Sequence, residues 1–216
     1  MTLTRRSFLL ATPFALSACV GTGLEGVAPT PPRRAIPPYY LSMYAAVEGE
    51  PHAVPAPDLT EIDPRYYRQE VAYESGQIPG TLIVDTPARF LYLQMENGRA
   101  LRYGIGVGKA GLEFAGEAVV QYKRAWPRWT PTPDMMAREP ERYGHLASGM
   151  EPGTQNPLGA RALYLFQNNE DTLFRIHGTN EDWSIGRSIS SGCIRLLNQD
   201  VIDLHRRVLD GTRVVV

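Results

Sequence analysis

The chain has 216 residues, of which 43% are hydrophobic and 21% are charged, and its formal net charge is -1. This length accommodates one domain with a sizeable core and some additional segments. Because the charge is close to zero, the chain offers no basic field for a polyanion, and nucleic acid is not expected as a partner.

The first eighteen residues have the layout of an export signal. Two arginines precede an apolar run over residues 8–18, which is too short to span a bilayer as a mature helix. Residues 4–9 (TRRSFL) resemble a twin-arginine signal. We therefore expect residues 1–18 to be a signal peptide and the protein to be exported to the periplasm.

Cys19 ends a short motif at the boundary of this signal. Residues 16–19 (LSAC) resemble the bacterial lipobox, in which cleavage before the cysteine accompanies its lipidation. Cys19 would then be a lipidated N-terminus that anchors the protein in a membrane. Val20 follows it rather than an aspartate, which favours the outer membrane by resemblance to the usual sorting rule. The alternative is a plain signal peptide in which Cys19 is incidental.

Residues 19–60 are dominated by Pro, Gly, Ala and Thr and lack a sustained apolar period. Such a composition is typical of an extended linker. The sequence therefore predicts a Pro-rich tether, with at most a short helix within residues 39–49 and a solvated His52. The folded domain is predicted to comprise residues 61–216.

Short β-branched and apolar runs bounded by turn residues recur along this domain. They predict strands at residues 81–86, 90–95, 100–107, 118–122, 162–166, 172–177 and 212–216. Asn97 and Gly98 accept positive φ easily, so they predict a hairpin between the second and third of these strands. The domain is therefore expected to be mostly β.

Two further segments complete the predicted domain. A helix is expected from Asn198, a suitable N-cap, to the stop signal at Gly211, with His205 as a partly buried structural residue beside its apolar face. Residues 126–159 are rich in aromatic residues, Pro and Gly, and predict a long loop. Loops of this length often carry function, so we expect it to lie over the functional site.

A histidine and a cysteine stand sixteen positions apart near the end of the chain. His177 ends a predicted strand, and Cys193 directly follows Gly192. A free thiol titrates near about 8.5, so an imidazole that pairs with the thiolate would raise its reactivity. The backbone N–H groups of Gly192 and Cys193 could form an oxyanion hole. This pattern indicates acyl transfer through a cysteine nucleophile.

Other roles for these two residues stay open on the residues alone. A lone cysteine is often a small core residue, and a lone histidine is often a satisfied polar group. Cys19 and Cys193 could form a disulfide in an exported protein. A metal site would need His145 or His205 as well, so no metal is expected.

The motifs around the pair are similar to those of a known family. Residues 177–179 (HGT), 184–186 (SIG) and 190–195 (SSGCIR) resemble the signature of the L,D-transpeptidase catalytic domain, or YkuD-like, family. Weaker likeness begins near residue 79 and continues to the end of the chain. The resemblance implies a single β-sandwich domain with a C-terminal helix, a long loop over the active site and no cofactor.

The resemblance also implies roles for individual residues. Cys193 would be the nucleophile, His177 would take its proton, and the backbone carbonyl of Gly178 would orient the imidazole. Four residues are expected to bind substrate, and Arg195 among them could hold a carboxylate or simply brace its loop. These residues are Thr179, Trp183, Ser191 and Arg195.

The implied reaction takes place on peptidoglycan stem peptides of the bacterial cell wall. Cys193 would attack the third-residue carbonyl of a tetrapeptide, release D-alanine and pass the thioester to an amine of another stem peptide or of an outer-membrane protein. Water as acceptor would make the protein an L,D-carboxypeptidase instead. A non-catalytic peptidoglycan-binding lipoprotein is the alternative from another class.

Overall fold

The structure is a computed structural model that describes residues 35–108, 115–188 and 193–216. The predicted signal peptide, Cys19, Ser191 and Gly192 lie outside the described residues. Within the described ranges, no helix is both long and apolar enough to cross a membrane.

Ten strands form one hydrogen-bonded sheet in the described part of the chain. The strands are β1 Gln69–Ala72, β2 Leu82–Asp85, β3 Phe90–Gln94, β4 Arg99–Gly104, β5 Gly106–Val107, β6 Glu117–Ala125, β7 Arg161–Gln167, β8 Glu170–His177, β9 Ile194–Arg195 and β10 Arg213–Val215. Their order across the sheet is β1-β4-β3-β2-β10-β6-β7-β8-β9-β5. The prediction of a mostly β domain is confirmed.

The sheet closes back on itself around the core. Ile105 alone separates β4 from β5, yet these strands lie near opposite ends of the strand order. The two ends of the sheet must therefore come together, as twisted sheets do when they curl. The two layers expected of a sandwich are thus formed by one continuous ladder.

Each of the seven predicted strands overlaps a strand of the structure. The predicted hairpin joins β3 and β4, and Asn97 and Gly98 both have positive φ, 58° and 65°. The sequence missed β1 and β9, which are four and two residues long, and ran β4 and β5 together. The chain bends between these two strands, where the N–H of Ile105 donates to the carbonyl of Arg89.

The core lies between the inner face of the sheet and one helix. Helix α4 is Asn198–Arg207, and the three shorter helices are α1 Pro38–Met43, α2 Pro133–Arg138 and α3 Pro140–Tyr143. Val201 and Leu204 of α4 pack with Leu163 and Leu165 of β7, and all four are fully buried. Burying such side chains stabilises the fold by about 1.5–3 kcal/mol each.

The C-terminal helix is confirmed, but its predicted cap is wrong. Leu197 is the N-cap and Asn198 is the first helical residue. The Asn198 side chain instead accepts from the N–H of Ala160 at 2.9 Å and donates to the carbonyl of Thr179 at 2.8 Å. It therefore ties the start of α4 to the chain that follows β8. The helix ends at Arg207, before the stop signal at Gly211.

The predicted tether is wrong for residues 35–60, which we call the N-terminal segment. This segment contains helix α1 and packs on the domain through buried Tyr44, Val54 and Leu59. His52, predicted to be solvated, lies edge-on to the Trp126 ring with centroids 4.7 Å apart. The buried residues fill separate gaps in the domain surface, so they show no period in the sequence.

Polar side chains also fix the N-terminal segment. Glu50 accepts from Trp126 Nε1 at 2.7 Å and from Arg161 Nη1 at 2.9 Å. Tyr44 Oη donates to the fully buried Asp200 at 3.1 Å and accepts from the N–H of Arg68 at 2.6 Å. The folded domain therefore begins by residue 35.

The long loop over residues 126–159 has structure of its own. It contains α2 and α3, and Trp129 forms an isolated bridge with Met150. Trp129 also contacts Tyr143 edge-on, with ring centroids 6.1 Å apart. Its aromatic residues therefore hold the loop together.

Candidate active site

Parallel pairing of β8 and β9 brings His177 and Cys193 to the same face of the sheet. Ile176 pairs with Ile194, and His177 pairs with Arg195. Both isoleucines are buried in the core, and side chains alternate along a strand, so the residues flanking them face the opposite side. Cys193 directly precedes β9. It therefore shares that opposite face with His177 and Arg195.

The imidazole of His177 is fixed by the chain that follows it. Its Nδ1 lies 2.6 Å from the carbonyl oxygen of Gly178. Because a carbonyl oxygen can only accept, this bond places the proton on Nδ1 and leaves the lone pair on Nε2. His177 is 5% exposed, and its own carbonyl accepts from the N–H of Leu196 at 2.8 Å. The ring is thus set in the tautomer that can accept a proton at Nε2.

Gly178 has no room for a side chain. A Cβ at this position would collide with Asn198 Oδ1 and lie 3.1 Å from Val201 Cγ1. Its N–H donates to the carbonyl of Arg161 at 3.0 Å. The close approach of α4 therefore requires glycine here and fixes the carbonyl that meets the imidazole.

A distortion of β8 supplies a second backbone contact, to the thiol. The Sγ of Cys193 lies 3.6 Å from the carbonyl oxygen of Leu173, to which it donates. Leu173 has φ of 62°, an uncommon conformation for leucine, and the β7–β8 register shifts beside it. Nothing in the sequence indicates this contact, because leucine is not a typical residue for such a bulge.

Burial disfavours the charged form of both groups. Burial raises the pKa of the Cys193 thiol, an effect that the nearby Arg175 and Arg195 oppose. Burial, with Arg195 and Arg175, lowers the pKa of His177 to about 3, although the Gly178 hydrogen bond opposes this shift. Both pKa shifts favour the neutral form, the thiol of Cys193 and the imidazole of His177. These shifts oppose the thiolate–imidazolium pair that the sequence suggested.

Arg195 braces the loop that follows His177. Its Nη1 lies 2.6 Å from Glu181 Oε2, and its side chain is 12% exposed. Thr179 is buried, and its Oγ1 accepts from the N–H of Glu181 at 3.0 Å. Of the two roles that the sequence left open for Arg195, this ion pair corresponds to bracing.

The remaining predicted residues lie in varied surroundings. Trp183 is 45% exposed, and the guanidinium of Arg187 lies 5.7 Å from the centre of its ring. His205 is half-buried on α4, where burial and Lys123 lower its pKa to about 4. No group of three or more His, Cys, Asp or Glu residues could hold a metal ion in the part of the chain that the structure describes.

A cavity of about 280 Å³ lies beside the loop after His177. Four parts of the chain line it: residues 53 and 55 of the N-terminal segment, both ends of the long loop, the stretch that includes Thr179 and Asp182, and residues 198 and 199 at the start of α4. Asn180 Nδ2 donates to the carbonyl of Gln155 at 3.1 Å. The long loop therefore contacts the chain that follows His177.

The sequence matches a family model over most of this fold. Residues 79–216 match YkuD, the L,D-transpeptidase catalytic domain, which is more than half of the chain. The chain belongs to this family of L,D-transpeptidase catalytic domains.

Two bacterial relatives bear the same family name. The chain is 34% identical over 139 residues to a probable L,D-transpeptidase ErfK/SrfK of Escherichia coli K12, an alignment that covers 63% of this chain and 43% of that protein. It is 36% identical over 137 residues to a putative L,D-transpeptidase of Fuscovulum blasticum, covering 62% of this chain and 68% of that protein. The chain spans less than half the length of the Escherichia coli relative.

A solved structure is similar over a longer part of the chain. It is a probable carnitine operon oxidoreductase from Brucella melitensis, 52% identical, with a TM-score of 0.52 over 74% of this chain and 98% of that one. The activity in its name is that of the Brucella protein. A structure of an L,D-transpeptidase from Mycobacterium smegmatis matches 62% of this chain at 14% identity and a TM-score of 0.45.

Proposed function

We propose that this protein is a peptidoglycan L,D-transpeptidase in which Cys193 is the nucleophile and His177 is its base. The observation that carries this proposal is the placement of both side chains on one face of neighbouring parallel strands, with the imidazole fixed by the Gly178 carbonyl at 2.6 Å. Family membership supports the class of reaction, and the geometry supports the roles.

The first half of the reaction forms a thioester. Cys193 Sγ attacks the third-residue carbonyl of a stem tetrapeptide, while the thiol proton moves to Nε2 of His177. The tetrahedral intermediate then breaks its C–N bond to the terminal D-alanine. The leaving amine takes the proton from Nε2, so free D-alanine departs and the tripeptide stays on sulfur.

The second half transfers the acyl group. An acceptor amine attacks the thioester carbonyl and gives its proton to Nε2. The C–S bond breaks, and the proton returns to sulfur as the thiol leaves. The acceptor is an amine of another stem peptide or of an outer-membrane protein, and water in its place would give carboxypeptidase activity.

A neutral resting pair is compatible with this chemistry. A thiol with a raised pKa cannot supply much free thiolate, so its proton must leave as the sulfur attacks. The guanidinium groups of Arg175 and Arg195 act electrostatically on the sulfur in the direction that favours its negative form. We assign the stabilisation of the carbonyl oxyanion to the backbone N–H groups of Gly192 and Cys193.

The proposal is tested by incubating the purified protein with disaccharide tetrapeptides and measuring product masses. Cross-linked dimers together with free D-alanine are expected. Tripeptide without dimers would assign the protein as a carboxypeptidase, and unchanged substrate would favour the non-catalytic alternative.

Two cysteine variants identify the nucleophile. Cys193→Ala should abolish both the products and the covalent acyl adduct seen by intact mass. Cys19→Ala is the matched control, since it removes the other cysteine of the chain, and it should retain both. Activity retained in Cys193→Ala would contradict the assignment.

We also propose that the protein is exported and held at the outer membrane by a lipid on Cys19. Because the folded domain begins by residue 35, residues 20–34 alone would connect it to the lipid. Fully extended, these residues reach at most about 50 Å. The domain would therefore work closer to the membrane than a tether ending at residue 60 allows. Cys19→Ala should move the protein from the membrane fraction to the soluble periplasmic fraction, and a variant still bound to membranes would contradict lipidation.

A further inference from the structure

The side-chain amide of Asn198 joins two loops at the start of α4. Its Oδ1 accepts from the N–H of Ala160 at 2.9 Å, and its Nδ2 donates to the carbonyl of Thr179 at 2.8 Å. Gly159 and Gly178 both approach Oδ1, and a Cβ on either glycine would collide with that atom. These two glycines therefore make room for the amide between the end of the long loop and the chain that follows β8.

This amide acts close to the carbonyl that meets the imidazole of His177. That carbonyl belongs to Gly178, whose own N–H donates to Arg161 at 3.0 Å. The next carbonyl along the chain, that of Thr179, accepts from Asn198. Because glycine has few steric restrictions on φ and ψ, the peptide group that follows Gly178 depends on such bonds for its orientation. The Gly178 carbonyl is thus held by one hydrogen bond on each side of it.

The helical turn that carries Asn198 is itself held in place. Gln199 Nε2 donates to the carbonyl of Pro55 at 2.8 Å, and Asp200 accepts from Tyr44 Oη at 3.1 Å. The side chains of Gln199 and Asp200 are both buried. A side chain on a well-packed helix positions its partners more precisely than one on a loop. The N-terminal segment therefore supports the amide through the first turn of α4.

We propose that Asn198 is a positioning residue for the acyl transfer, which holds the Gly178 carbonyl against Nδ1 of His177. The proposal rests on the proposed function, in which Nε2 takes the thiol proton. The other neutral tautomer carries its proton on Nε2 and could not accept the proton of Cys193. Asn198 acts through Gly178, and its role requires no contact with the substrate.

The tautomer of His177 is measured directly by nitrogen NMR on the full chain, isotopically labelled at its histidines. The chain has four histidines, so His177→Gln identifies the signal by its absence. The parent should carry the proton on Nδ1. Asn198→Ala should show a mixture of the two neutral tautomers, and an unchanged tautomer would refute the proposal. No turnover enters this measurement, so it succeeds or fails independently of the transfer assay.

Kinetics separate positioning from substrate binding. Misplacement of a catalytic group by about 1 Å can cost about 10²-fold in rate, so Asn198→Ala should lower kcat for D-alanine release by about ten-fold or more. The KM should stay within about two-fold of the parent, because uniform substrate binding is not lost. Asn198 also lines the cavity. A raised KM with an unchanged kcat would therefore assign it to substrate binding and overturn the proposal.

Asn198→Asp separates the two hydrogen bonds of the amide. At neutral pH an aspartate can still accept from the N–H of Ala160, but it cannot donate to the carbonyl of Thr179. It should therefore resemble Asn198→Ala in both the tautomer and kcat. An Asn198→Asp variant that matched the parent in both would show that only the contact with the long loop matters, contrary to the proposal.

Gln94→Ala is the matched control for stability. Gln94 is a buried amide on β3 that donates to the carbonyls of Tyr73 and Arg99. Its loss should lower the free energy of unfolding, as in Asn198→Ala, without changing the His177 tautomer or kcat. Equal losses of kcat in the two variants would mean that stability alone had changed, and the proposal would fail. If Asn198→Ala does not fold, Asn198→Asp decides, because it keeps one of the two bonds.

Discussion

The N-terminal segment and the strand end that carries His177 are held in place by different kinds of contact. Buried side chains fix the segment, as the bonds of Tyr44 to Asp200 and of Glu50 to Arg161 show. Backbone carbonyls meet the two side chains of the proposed catalytic pair: that of Gly178 contacts His177, and that of Leu173 contacts Cys193.

This difference indicates how each region responds to substitution. A backbone carbonyl is present whatever side chain its residue bears, so only a change in backbone path displaces it. Side-chain anchors are lost with the side chain itself. The proposed catalytic pair should therefore be sensitive to residues that shape the backbone, and the N-terminal segment to the truncation of single polar side chains.

Removing the proposed base should have the largest effect. His177→Gln keeps a polar side chain of similar size but has no group to take the thiol proton, and a positioned base typically contributes about 10²–10⁴-fold. We expect kcat for transpeptidation to fall within that range, measured by D-alanine release. His205→Gln is the control and should retain activity, and equal loss in both variants would contradict the assignment.

Gly178→Ala tests whether the backbone path sets the imidazole. The new Cβ would meet Asn198 and Val201, and overpacking of this kind costs about 1–3 kcal/mol. The free energy of unfolding should fall by that amount in urea denaturation, and activity should fall with it. Gly144 has open space around its Cβ position, so Gly144→Ala should change neither quantity. An active, stable Gly178→Ala would show that the fit to α4 is not required.

Tyr44→Phe tests the side-chain anchor of the N-terminal segment. It leaves Asp200 and the N–H of Arg68 without their hydrogen-bond partner, and such a loss costs about 1–3 kcal/mol. The midpoint of urea denaturation should fall, and limited proteolysis should cut within residues 35–60 sooner. Tyr39 is 68% exposed, so Tyr39→Phe should match the parent. Unchanged stability in Tyr44→Phe would mean that apolar packing alone holds the segment.

The smallest expected effect is in the pH profile. An ordinary imidazole would lose its base function as the pH falls through about 6.5. Burial lowers the pKa of His177 to about 3, so the ring stays neutral and able to accept a proton well below that pH. We expect kcat/KM to show no inflection from His177 between pH 8 and 5, with a substrate that does not titrate there. A half-maximal rate near pH 6.5 that His177→Gln abolishes would contradict the lowered pKa.

Sequence signals succeeded where the structure depends on neighbours in the chain. The β3–β4 hairpin depends on two adjacent residues, Asn97 and Gly98, and the motif around His177 identified the family. They failed where distant parts of the chain decide the outcome. Asparagine is a residue type that favours the N-cap position. The side chain of Asn198 instead forms hydrogen bonds with the backbone of Ala160 and Thr179. Leu173 acquires its positive φ only through the register shift between β7 and β8.

The sequence by itself determined the mostly β class, the C-terminal helix and the pair of residues that carry the proposed chemistry. Each of these depends on local periods or on motifs of a few residues. Only the tertiary structure decided that residues 35–60 belong to the fold and that the carbonyl of Leu173 meets the thiol of Cys193. These properties depend on burial and on contacts between residues far apart in the chain, and no local pattern records them.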